Sequence, residues 1–272
     1  MTIRMLGIPH DLNSSYLRGA AAAPEAIARA VRSESANMFS ELGHDLGSPE
    51  LFTEVGEVAL AGLAGQAAYD AIYTAVTSQL ETGCRLLSIG GDHSISFPVV
   101  MAHTRFYQPL NILHFDAHPD LYENFEGNSF SHASTFARLM ESGQIVRLVQ
   151  IGIRTLNDHQ REQTARFGVE QHEMRDLSRL SSIHFDGPVY ISVDLDALDP
   201  AYAPGVSHHE PGGLTTRQIM EVIQTVPGTI VGADIVELNP ARDINGMSAM
   251  VAAKIAKELA GRMITDAVNT VR

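Results

Sequence analysis

The sequence predicts an α/β fold with a parallel sheet wound on both sides, on three observations. Short runs rich in Ile, Val and Leu recur along the whole chain. These runs are nearly continuous in apolar residues, as strands buried on both faces are. Segments with helical spacing lie between them, and that alternation implies βαβ units with helices on both faces of one sheet. Taken in order, residues 3–8 read as the first strand and Pro24 opens the helix of AAPEAIARAVRS at a favourable first-turn position. A helix over 66–80, a strand over 85–89 and a helix over 94–106 follow. Next come a strand at 111–115, a helix at 131–142 and strands at 147–153 and 189–193. Thr215 and Gln218 make a capping-box pattern at the head of TTRQIMEVIQTV. A strand over 229–236 and an Ala-rich terminal helix over 247–264 complete the pattern. The Gly/Pro-rich stretches 123–131 and 199–213 are each followed by a helix, so they read as long strand-end loops. A single domain over 1–272 is the expectation.

The 272 residues carry 19 Lys+Arg against 32 Asp+Glu, a formal charge of −13. Hydrophobic residues make up 44%, which marks a folded chain with ample core and not a disordered one. So acidic a surface repels phosphate backbones, which excludes nucleic acid as a partner and leaves a small cationic substrate unopposed. Cys84 is the only cysteine, so no intrachain disulfide framework exists and a reducing compartment is expected. The apolar run at the start ends at Pro9, His10 and Asp11, too soon for a signal peptide, and no stretch reaches the length of a membrane span. A soluble, cytoplasmic protein with no membrane partner is the expectation.

Three acidic and histidine motifs fall at strand ends. In LLSIGGDHS a strand runs into Gly90-Gly91 and His93 follows before a helix. Alone, that is a packing feature more often than a site. In ILHFDAHPD, Asp116, His118 and Asp120 recur at every second residue, so an extended chain puts all three on one side. A solvated strand end is the plain alternative, but unpaired carboxylates at the end of an apolar strand cost several kcal/mol if buried. In VYISVDLDALDP the same spacing returns with Asp194 and Asp196. Together these supply two imidazoles and four carboxylates. Four carboxylates in one small space cannot all ionise without cations. Two divalent ions would balance them, and an oxygen and nitrogen donor set without thiolate favours Mn²⁺ or a similar ion over structural zinc. Two such ions side by side deprotonate a shared water near neutral pH. The residues alone therefore read as a binuclear metal hydrolase.

The set GGDHS, DAHPD and SVDLDALDP, in this order, resembles the ureohydrolase family of arginases, agmatinases and their relatives. The resemblance spans nearly the whole chain. It runs to plant-type arginases in particular through NSSYLRGAAAAPEAI (13–27), NFEGNSFSHASTFARLME (124–141), YAPGVSHHEPGGL (202–214) and NPARDINGMSAMVAAK (239–254). It implies the three-layer α/β/α arginase fold around a central, mostly parallel sheet, with the site at the carboxyl ends of the strands. It also implies two Mn²⁺ per subunit, one held by His93, Asp116, Asp120 and Asp194, the other by His118, Asp116, Asp194 and Asp196.

The same resemblance makes His132 the proton shuttle and Glu237 the partner of the substrate guanidinium, although an isolated His or Glu there would pass for a surface group. The catalytic residues expected are His132, Glu237 and Asp120, the last also a metal ligand. Asp234, and Asp92 and Ser94 beside His93, are candidates for orienting the ligands. For the substrate's far end the candidates are Asn157, at the place where animal-type arginases carry an acidic residue, with Asn128 and Ser129 in the 121–131 loop. His10, His44, His103, His159, His172 and His184 read as solvated or packed, and His114 as core packing; His208 and His209 stay undecided. The implied reaction is hydrolysis of L-arginine to urea and L-ornithine, with agmatine or another guanidino compound as the alternative. A homo-oligomer, trimer or hexamer, is implied as well. Two other readings compete: a catalytically dead relative that regulates by binding a metal or ligand, and a deacetylase with one zinc.

Overall fold

The computed structural model describes residues 1–178 and 180–270. Eight strands join one sheet: β1 (Ile3–Ile8), β2 (Phe52–Glu57), β3 (Arg85–Gly90), β4 (Leu110–Phe115), β5 (Ile145–Ile153), β6 (Glu170–Glu173), β7 (Pro188–Asp194) and β8 (Thr229–Val236). Their order across the sheet is β2-β1-β3-β8-β7-β4-β5-β6. Every pairing between these strands is parallel. The expected central, mostly parallel sheet is thus wholly parallel. Its inner strands β3, β4, β7 and β8 are buried almost end to end, and their apolar runs reflect that.

Helices α1 (Ala23–Val31), α6 (Thr216–Thr225) and α7 (Met247–Thr270) cover one face. Helices α2 (Gly65–Leu80), α3 (Ser96–His103) and α4 (Thr135–Glu141) cover the other, and α5 (Asp158–Phe167) joins them through Phe167. This is the three-layer α/β/α arrangement. Strand residues alternate between the two cores: on β7, Val189, Ile191 and Val193 face α6 and α7, while Tyr190 faces α3. Both capping boxes close as helix chemistry requires, Thr215 with Gln218 and Asn157 with Gln160.

Chain order places the functional site. Strands β3 and β4 are consecutive in sequence, yet β8 and β7 lie between them, so α3 must cross over both. The reversal opens a crevice at the carboxyl ends of those four strands, where open α/β sheets bind ligands. Helices expected to start at 94 and 131 are each preceded by a tight 3₁₀ turn, His93–Ile95 and His132–Ser134. Those turns bring His93 and His132 to the crevice instead of carrying them along a helix flank.

Candidate metal centre and its cavity

Each inner strand delivers its side chains by a different local device. After β3, Gly90-Gly91 lets the chain pass close to the first strand's loop; a Cβ on Gly91 would sit 1.8 Å from the His10 carbonyl oxygen. Asp92 then caps the turn by accepting from Ser94 N–H at 3.0 Å, and its other oxygen accepts from Asn13 N–H at 3.0 Å. That pins His93, which is fully buried. After β4, Asp116 accepts from His118 N–H at 2.6 Å, and Asp120 adopts a positive φ of 50°. At the end of β7, Asp194 accepts from Asp196 N–H at 2.8 Å, and Asp196 accepts from Ala117 N–H at 3.1 Å, tying β7's end to β4's.

These six side chains converge. His93 Nδ1 lies 3.2 Å from Asp116 Oδ2, 3.2 Å from Asp120 Oδ2 and 3.1 Å from Asp194 Oδ2. His118 Nδ1 lies 3.3 Å from Asp116 Oδ1 and 3.0 Å from Asp196 Oδ2. Asp116 is common to both clusters, one oxygen in each. His93 Nδ1 is buried and lacks a hydrogen-bond partner. Its other ring nitrogen is 2.9 Å from Ser192 Oγ, and that hydroxyl donates to Asp234 Oδ1 at 2.6 Å. The serine's single proton is spent on Asp234, so His93 Nε2 carries a proton and Nδ1 presents a lone pair to the carboxylates. An orphaned lone pair among converging carboxylate oxygens is the donor set a divalent cation needs, and the six residues fit one.

Electrostatics point the same way. Burial, then Asp196 and Asp116, push Asp194 well above the ordinary carboxylate range. Burial also raises Asp196. Burial alone would suppress charge on His93 and His118, but the surrounding carboxylates reverse this and hold both well above the ordinary imidazole value. Without a cation, the cluster must take up protons.

One assignment changes. His114 stacks on Phe136 with ring centroids 3.8 Å apart, as core packing requires, but its Nε2 also lies 2.8 Å from Asp116 Oδ2. Core packing alone was the expectation for His114, but residues two apart on an extended chain share a side, so His114 meets Asp116 where β4 ends. Asp234 receives hydrogen bonds from Ser192 and from the Tyr190 hydroxyl at 2.8 Å, beneath the centre and not in it.

Above the cluster lies a cavity of about 520 Å³. Glu237, just past β8 at φ 66°, lines it and accepts from His93 N–H at 2.8 Å. His132 Nδ1 lies 2.7 Å from the same Glu237 oxygen, and His132 Nε2 accepts from Ser15 N–H at 3.1 Å. Burial opposes charge on His132, but Glu237 prevails and its pKa rises to about 9. Glu237 thus favours a proton on the ring, and with the Ser15 N–H directed at Nε2 that proton sits on Nδ1, facing Glu237.

His208 also lines the cavity, 5.5 Å from His132 and 5.7 Å from His118 between ring centroids. His209 turns outward, its Nε2 2.7 Å from the Pro204 carbonyl. Asn157 lines the outer end, where its Oδ1 caps α5 and its Nδ2 donates to the Tyr122 hydroxyl at 2.6 Å. Asn128 and Ser129 do not line it. Asn128 Oδ1 accepts from Phe130 N–H at 2.9 Å, which folds the loop on itself, and Ser129 is exposed. The loop's cavity-facing residues are Tyr122 and Phe125. The arginase family model matches residues 1–261.

The chain belongs to the arginase family. It is 47% identical to "Arginase 1, mitochondrial" of Arabidopsis thaliana over 274 residues, 95% of this chain and 80% of that one. The solved arginase of Medicago truncatula superposes with a TM-score of 0.91 at 46% identity, covering 96% of this chain and 87% of that one. A Thermus thermophilus "N(1)-aminopropylagmatine ureohydrolase" is 37% identical over 256 residues, 87% of this chain and 82% of that one. Membership makes this arginase-family chain a hydrolase of the ureohydrolase type and rules out the one-zinc deacetylase reading. Among the described residues no helix is long and apolar enough to cross a membrane. The expectation of a cytoplasmic protein is overturned: the Arabidopsis arginase, and that of Medicago at 47% identity, are named mitochondrial. A lone cysteine reports on redox conditions, and those do not separate one reducing compartment from another.

Proposed function

We propose that this chain is a binuclear Mn²⁺ arginase that hydrolyses L-arginine to urea and L-ornithine. The observation that carries the reading is the pair of clusters sharing Asp116 at the base of a cavity that also holds Glu237. His93, Asp116, Asp120 and Asp194 would hold one ion, and His118, Asp116, Asp194 and Asp196 the other. Ions held there would neutralise the carboxylates and would supply hydroxide near neutral pH, since a divalent cation lowers the pKa of water to about 7.

The chain's own groups do the rest. The Glu237 carboxylate receives the substrate guanidinium, whose planar N–H fork matches it, and holds the guanidinium carbon over the clusters. His132 bridges Glu237 and the Ser15 loop at the cavity wall, placed to hand a proton to the departing amine. Tyr122 and Phe125, 4.9 Å apart between rings, wall the outer end. Asn157 stands there as the residue that senses the substituents at Cα. A trimer or hexamer remains part of the proposal, to be checked by sedimentation.

One observation favours agmatine as a second substrate. Among the described residues lining the cavity, Arg154 is the only Lys or Arg, and its guanidinium is spent on the carbonyls of Asp196 and Glu210, among others. Among those residues no free Lys or Arg awaits an α-carboxylate. A urea-release assay on arginine, agmatine and shorter guanidino acids, with Mn²⁺ supplied and metal content measured, tests the proposal. Preference for arginine with two Mn per chain supports it. Preference for agmatine removes the substrate assignment, and absence of bound metal removes the mechanism.

A further inference from the structure

Beneath the candidate metal centre, polar side chains form a row that no single motif contains. Strand register sets Ser192 beside His114, His114 beside Gln150, and Gln150 beside Gln171, on β7, β4, β5 and β6. Ser192, His114 and Gln150 are fully buried. A buried polar group left unpaired costs about 1–3 kcal/mol, so each needs a partner.

The hydrogen bonds in this row have only one consistent direction. Gln150 Nε2 lies 2.7 Å from the Pro119 carbonyl oxygen and 3.0 Å from His114 Nδ1, while Gln150 Oε1 accepts from Gln171 Nε2 at 2.8 Å. A carbonyl can only accept, so the Gln150 amide is fixed with its nitrogen toward both Pro119 and His114. His114 Nδ1 is then an acceptor, and a neutral imidazole with an accepting Nδ1 carries its proton on Nε2. That nitrogen is 2.8 Å from Asp116 Oδ2 and donates to it.

We infer that His114, in the tautomer dictated by Gln150, is a positioning residue that orients Asp116, the carboxylate shared by both metal clusters. Asp116 Oδ2 is held by His114 on the His93 side, and Oδ1 is held by the His118 N–H at 2.6 Å on the other. Both oxygens are therefore aimed before any cation arrives. The Gln150–Pro119 contact ties the same relay to the backbone between His118 and Asp120. Hydrogen-bond partners of this kind typically contribute about 10–100-fold to metal affinity.

This inference rests on the proposed binuclear centre, and the test separates the two. Measure Mn²⁺ binding to the metal-free protein by calorimetry, and Co²⁺ d–d absorption, for wild type, His114→Phe, His114→Gln and Gln150→Glu. His114→Phe keeps a ring against Phe136 but removes the donor, and should weaken binding by about 10–100-fold. His114→Gln places an amide N–H near the former Nε2 and should recover most of that loss, which a packing role would not allow. Gln150→Glu replaces the donor to Nδ1 by an acceptor, so the ring's proton moves from Nε2 to Nδ1. Asp116 then loses its donor, and affinity falls with an altered Co²⁺ spectrum. Should His114→Phe fail to fold, Gln150→Glu carries the test, since it lies outside the ligand set. Unchanged affinity in Gln150→Glu, or equal losses in His114→Phe and His114→Gln, overturns the inference and leaves the centre standing. A wild-type chain that binds no divalent ion overturns both.

Discussion

His132 and Glu237 show how two unremarkable side chains become a site once distance is known. Their contact of 2.7 Å joins residues 105 apart in sequence, and each occupies ground that would be surface in isolation. The convergence of the candidate ligands was legible because Asp and His repeat at every second residue after an apolar strand, which sets them on one side. The role of His114 was not legible, since Gln150, which sets its tautomer, and Gln171, which holds Gln150, come from other strands. Replacing His132 by Asn should leave both ions bound and lower turnover by about 10²–10⁴. Metal analysis beside steady-state rates checks this, and a loss of metal would make His132 a ligand instead. Glu237→Gln should lower kcat/KM by about 2–5 kcal/mol for arginine and agmatine alike, because it addresses the group both share. A drop confined to one substrate would move Glu237 away from the guanidinium.

Among the elements, those the sequence showed plainly are the buried ones. The inner strands and the capping box at Thr215 stand where their residues place them, but β2 (FTEVGE), β6 (EQHE) and α5 do not announce themselves. Edge strands pair on one side only and are part-exposed, so their residues need not be apolar and the buried-strand signal vanishes. Helix α5 buries only Gln160 and Gln163, and so lacks an apolar stripe. Its cap nevertheless carries functional weight: Asn157 closes the capping box and also holds Tyr122 at the cavity's outer end. Asn157→Ala should therefore cost about 1 kcal/mol of stability from the lost cap. It should also shift the arginine-to-agmatine ratio by about 1 kcal/mol against arginine, the scale of one hydrogen bond. Kinetics on both substrates, with a urea melt of the variant, separate the two effects. An unchanged ratio would leave Asn157 as a helix cap only.

At the scale of the whole molecule, α/β layering followed from alternation, while strand order did not, because no local pattern says that β8 and β7 slip between β3 and β4. That insertion is also what buries His103. The ring lies against β8, where a Cβ on Gly232 would come within 2.2 Å of its Nε2, and it meets the Tyr190 ring of β7 edge-on at 4.8 Å. Its Nδ1 lies 2.9 Å from the Val99 carbonyl and donates to it, while Nε2 is buried without a partner. There is no place for a second proton, and burial lowers the pKa to about 4. The unfolded chain binds a proton there near pH 6.5. Between those values the unfolded state holds more protons than the folded one, so stability rises with pH through this window. The contribution is complete above about pH 6.5 and is lost as pH falls through about 4; the span is worth about 3 kcal/mol at most. His103→Leu removes both the titration and the orphaned acceptor. Urea unfolding of the metal-free proteins from pH 7.5 to 4 should show the variant gaining on wild type as pH falls, and the difference between the two cancels the other titrating groups. A stability difference that stays flat with pH would mean that His103 titrates alike in the folded and unfolded states, and that the core between α3 and β8 admits water.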